Sequence, residues 1–127
     1  MLSVDEIAHA KRKCRYLHPN EVFHEHNDCI RLAYEWLDAQ KTRSTPSGQS
    51  QPLKHIIEKW AGRYVSQSDV EVAATLHPRI SGKYPDFNLS KQLIYPSERR
   101  LAAIPEALTQ SYREEMEIAA YALYEND

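Results

Sequence analysis

Residues 53–76 read LKHIIEKWAGRYVSQSDVEVAATL, and the folding of this stretch decides the architecture. Leu53, Ile56, Ile57, Trp60, Ala61 and Tyr64 recur at three- and four-residue intervals, the period of an amphipathic helix. Gly62 weakens the end of that run. Ser68 followed by Glu71 has the spacing of a capping box and opens a shorter helix over about 69–77, through Val70, Ala73, Ala74 and Leu76. Pro78 stops it. A helix that packs, a break and a short capped helix outline a helix-turn-helix, whose second helix lays its first turn in a DNA major groove.

Upstream, Ser3 and Glu6 form another capping box, and Ile7, Ala10, Cys14 and Leu17 then share a face, predicting a helix over about 4–17 that ends before Pro19. A polar connector, 18–27, leads to Asn27, an N-cap for a helix over about 28–41. The apolar residues of that helix, Cys29, Ile30, Ala33, Trp36 and Leu37, cover a wide arc and predict a central position. Residues 42–52 hold small polar residues, two prolines and a glycine, the composition of a mobile loop.

Downstream, 78–97 reads as an ordered excursion pinned by Ile80, Tyr84, Phe87, Leu89, Leu93, Ile94 and Tyr95, without the Asn-Gly or Asp-Gly pair that signals a hairpin. Ser97 caps a short helix over 98–104. Pro105 suits the first turn of a long C-terminal helix reaching about 124, with Leu108, Tyr112, Met116, Ala119 and Leu123 as its stripe. Ile118, Tyr121 and Ala122 add a second apolar edge, the kind a homodimer uses. The expected fold is therefore all-α: one compact domain over 1–127, with five to six helices, a helix-turn-helix-like central pair and a long C-terminal helix.

The chain has 127 residues, 42 % apolar and 27 % charged, which suits a globular domain and excludes a disordered tail. Three glycines are too few for the phosphate-cradling and dinucleotide-binding loops that spend glycine freely. No apolar run approaches the ~20 residues of a membrane span, so no membrane partner is expected. The first residues turn acidic early and form no leader-like apolar stretch. Two cysteines make no disulfide framework. A cytoplasmic protein is the expectation.

Net charge is −2, unevenly distributed. Residues 53–105 carry 8 basic and 5 acidic side chains, whereas 106–127 carry 1 and 6. In the helix-turn-helix reading, Arg63, Arg79, Lys83, Lys91, Arg99 and Arg100 neutralise phosphates, with Tyr64 and Tyr84 as hydrogen-bonding aromatics nearby and Gln67, just before the second helix, as a base-reading side chain. Against it, Asp69 and Glu71 put negative charge in the first turn of the reading helix. Cys14, His18, His24, His26 and Cys29 supply enough nitrogen and sulfur donors for zinc, yet their spacing matches no established zinc pattern. No P-loop, nucleophile elbow, His-Glu-x-x-His or dinucleotide fingerprint occurs. The expected function is regulatory binding without catalysis or a cofactor, with nucleic acid as the leading partner. The alternative is a protein–protein interaction module: an adaptor, inhibitor or regulatory subunit.

Overall fold

The computed structural model describes residues 1–46, 48 and 52–126. Four α-helices form: α1 (Val4–Lys13), α2 (Asn27–Asp38), α3 (Leu53–Ala61) and α4 (Gln67–Leu76). Two small sheets accompany them. β1 (Gly82–Lys83) pairs antiparallel with β2 (Asp86–Phe87), Gly82 facing Phe87. β3 (Ile94–Tyr95) pairs parallel with β4 (Leu123–Tyr124), Ile94 facing Leu123. This is a mixed α/β fold, and the all-α expectation of five to six helices is corrected.

α1 starts where expected: Ser3 Oγ accepts from the Glu6 N–H while Glu6 Oε1 accepts from the Ser3 N–H, both at 3.0 Å. It ends earlier, with Cys14 already in extended backbone. α2 is capped by His26 rather than Asn27: its Nδ1 accepts from the Asp28 N–H at 2.9 Å. α2 and α4 form the central pair, and Trp36 and Trp60 are fully buried in the core around them. The capping box of α4 uses Ser66 and Asp69, two residues before the pair read from sequence. That shift turns α4 into the centre of the molecule. Ser68, Asp69, Val70, Glu71, Val72, Ala73 and Ala74 are all buried, so the helix has no free face for a groove. The helix-turn-helix-like pair is corrected accordingly: α3 and α4 are consecutive core helices.

The long C-terminal helix is also absent. In its place run two short 3-10 helices (Ser111–Glu115 and Ile118–Ala120) and β4, and the short helix expected over 98–104 is a 3-10 helix over Glu98–Leu101. The reason lies at the end of α3, whose last carbonyls need donors. Leu108 N–H donates to Ala61 O at 2.8 Å, Gln110 N–H to Gly62 O at 2.9 Å, and Arg113 Nε to Trp60 O at 2.9 Å. Leu108 reaches this position with φ 62°, outside any right-handed helix. Backbone donors spent on α3 are unavailable to a local helix. Tyr121, assigned to a dimer edge, is buried, and its hydroxyl accepts from Trp36 Nε1 at 3.0 Å. A homodimer contact through a C-terminal helix therefore has no helix to use.

The excursion 78–97 contains the hairpin that no turn dipeptide announced; it closes through a cis Tyr84–Pro85 bond. Of the predicted loop 42–52, Ser47 and residues 49–51 lie outside the described residues. Its beginning is tied down, with Thr42 bridging Leu89 and the Arg43 N–H donating to Asn88 O at 2.7 Å. Among the described residues no helix is long and apolar enough to cross a membrane.

Candidate nucleic-acid interface

The eight residues singled out for phosphate and base contacts fall into different surroundings. Arg63 is buried in the corner between α3 and α4, holding Glu25 at 3.1 Å, Glu106 at 3.0 Å and the Tyr64 carbonyl. Tyr64 lies beneath the Lys54 ammonium, 4.7 Å from its ring centre. Gln67 donates to Glu71. Arg79 and Arg100 both grip Asp38 at the end of α2, and Arg100 also binds Glu35 and Glu125. Lys83, Lys91 and Arg99 are exposed and carry no ion pair among the described residues. The cations of the middle segment thus divide into those spent on internal carboxylates and those left to solvent.

Lys83 belongs to a cleft of about 450 Å³, enclosed by the end of α1, one side of α4 and the β1–β2 hairpin. Lys13, Arg15 and Lys83 stand on it, all exposed and none with an ion-pair partner among the described residues. Ala74, Ile80, Tyr84 and Phe87 supply an apolar lining, with Cys14 and Thr75 between. One carboxylate shares the cleft. Glu71 accepts from the Leu17 N–H at 2.7 Å and from Gln67 Nε2 at 3.4 Å, so its charge fixes the chain leaving α1. Three cations against one engaged carboxylate leave an anion-attracting concavity. Lys13 and Arg15 were missed as site residues, although Lys11, Arg12, Lys13 and Arg15 form a dense basic run. Such runs are a sequence feature of polyanion-binding patches in general.

The histidine and cysteine set is dispersed. His24 bridges two elements: Nδ1 donates to the fully buried Asp69 at 2.8 Å, and Nε2 accepts from the Tyr16 hydroxyl at 2.8 Å, the tautomer following from the partners. Burial pushes the Tyr16 phenol up to about 12, so it stays protonated and donates at neutral pH. This Tyr–His–Asp chain resembles a proton relay in outline. Asp69 spends its other oxygen on the Ser66 N–H, and the Ser66 and Ser68 hydroxyls bind the backbone of Phe23, so the chain clamps the connector onto α4. Cys29 is fully buried and donates to Tyr64 O; burial pushes its thiol up to about 12. Burial likewise raises the Cys14 thiol, leaving it protonated and weakly nucleophilic. His18 and His26 are exposed. Among the described residues no three His, Cys, Asp or Glu side chains are arranged around a metal position.

No protein-family model matches the chain, and neither the curated proteins nor the solved structures contain a match.

Proposed function

We propose that this is a cytoplasmic, non-catalytic regulatory protein that binds nucleic acid through the cleft between α1, α4 and the β1–β2 hairpin. One observation carries the reading: Lys13, Arg15 and Lys83 converge on a single concavity with no carboxylate partner among the described residues, while Arg63, Arg79 and Arg100 are neutralised within the fold. Cations held apart from internal ion pairs attract phosphates, and contacts of this type supply affinity without sequence information. The helix-turn-helix mode of base reading is given up, because α4 is enclosed. Of the residues expected from sequence, Lys83 keeps its role.

Fluorescence anisotropy with a labelled oligonucleotide tests the proposal. Wild type binds at low salt, and the triple variant Lys13→Ala/Arg15→Ala/Lys83→Ala loses at least about tenfold in affinity, as three lost phosphate contacts require. Circular dichroism stays unchanged, since the three side chains are exposed and have no ion-pair partner among the described residues. Equal affinity of the triple variant and wild type contradicts the assignment. A second reading, a protein-binding module, rests on Leu17, Val22 and Phe23, which stand exposed along the connector. It becomes the better one if wild type binds no nucleic acid at low salt.

A further inference from the structure

We infer that the nucleic acid taken by this cleft is single-stranded, with one unstacked nucleotide seated between the cations and the apolar lining; the inference rests on the function proposed above. Reading a duplex requires an element that projects, because a major groove about 12 Å wide admits a helix or a two-stranded ribbon. Neither is offered here. α4 is buried from Ser68 to Ala74, and the hairpin has strands of two residues each with Tyr84 and Phe87 buried. The cations instead surround a hollow. Its volume of about 450 Å³ falls in the range of small-molecule sites, roughly 300–1,000 Å³, which suits one nucleotide.

The lining agrees with that occupant. Single-strand binding sites combine a positive groove for the backbone with apolar or aromatic surface for bases, and they tolerate any sequence because every base has a π-face. Here Lys13 and Arg15 come from the end of α1 and Lys83 from the hairpin, so phosphates on either side of a seated nucleotide meet cations from two separate segments. Half-buried Ile80 supplies the apolar surface for the base, and Ala74, Tyr84 and Phe87, themselves buried, complete the lining around it. Thr75 is exposed at the cleft, where its hydroxyl donates to Glu71 O at 2.9 Å.

The test compares a labelled oligothymidylate with a random duplex of equal length, using wild type, Thr75→Trp and the Lys13→Ala/Arg15→Ala/Lys83→Ala triple variant. The expected result is at least a tenfold preference for the single strand, and a similar loss of single-strand affinity in Thr75→Trp, which fills the cleft while keeping all three cations. Circular dichroism checks that Thr75→Trp is folded, and the wild-type comparison stands without it. Equal or tighter duplex binding that the triple variant abolishes overturns the single-strand inference and leaves the nucleic-acid reading intact. Absence of binding to either probe overturns both.

Discussion

Gly62 and Leu108 meet in the left-handed region, each with positive φ, where α3 ends and the C-terminal segment crosses it. A Cβ on Gly62 would lie 2.9 Å from the Leu108 Cα, a backbone atom that cannot swing aside. Gly62→Ala is therefore expected to lower stability by more than about 1 kcal/mol, measured by urea unfolding. Ser66 makes a second residue-scale test. Its hydroxyl caps α4 and donates to Phe23 O at 2.6 Å, so Ser66→Ala should cost about 1–2 kcal/mol. Sequence spacing alone selects Ser68 with Glu71 just as readily, since both pairs sit three residues apart. Both serines meet the chain at Phe23, more than 40 residues away, Ser66 donating to its carbonyl and Ser68 accepting from its N–H, and no local pattern says which of them caps α4.

At the scale of elements, the four helices were legible from their apolar period, whereas the caps of α2 and α4 and the end of α1 lie elsewhere than the local pattern selects. The C-terminal segment was not. Leu108, Tyr112, Met116, Ala119 and Leu123 keep a helical period, yet the donors of Leu108 and Gln110 go to α3, and those of Ala122 and Glu125 go to Leu93 and Tyr95. Tertiary capping overrode a regular pattern, as it does where a helix end would otherwise be left without donors. Tyr121 locks this strap in place. Tyr121→Phe removes the acceptor of the buried Trp36 indole N–H and should lower stability by about 1–3 kcal/mol, with a shift in tryptophan fluorescence. The candidate site was legible only in part: Lys83 stood out, while the basic run at the end of α1 was separated from it by some 70 residues that the fold brings together.

For the whole molecule, charge is divided between inward ion pairs and an outward cleft. Asp38 shows the inward kind. Burial opposes its ionisation, but hydrogen bonds from His77 and Arg100 outweigh this and hold its carboxyl below the ordinary value of 3.8. The Arg100 hydrogen bonds hold Glu125 below 4.5 in the same way, against a smaller effect of burial. Carboxyls lowered in the folded state add stability that is fully present above their ordinary values. That stability is lost as pH falls through the lower, folded ones. The urea midpoint should therefore hold steady from pH 7 to about pH 5 and fall below about pH 4. Arg100→Met should make that acid limb shallower, because the guanidinium is the main cause of the lowering at Glu125 and a part of it at Asp38, beside His77.

The cleft is the outward kind, and the salt dependence of its binding tests the central claim most directly. With three phosphates neutralised on a single strand, log K for oligothymidylate should fall against log[salt] with a slope of about −2. The Lys13→Ala/Arg15→Ala/Lys83→Ala variant should bring that slope close to zero. A wild-type slope that the triple variant leaves unchanged, or no binding at low salt, would contradict it.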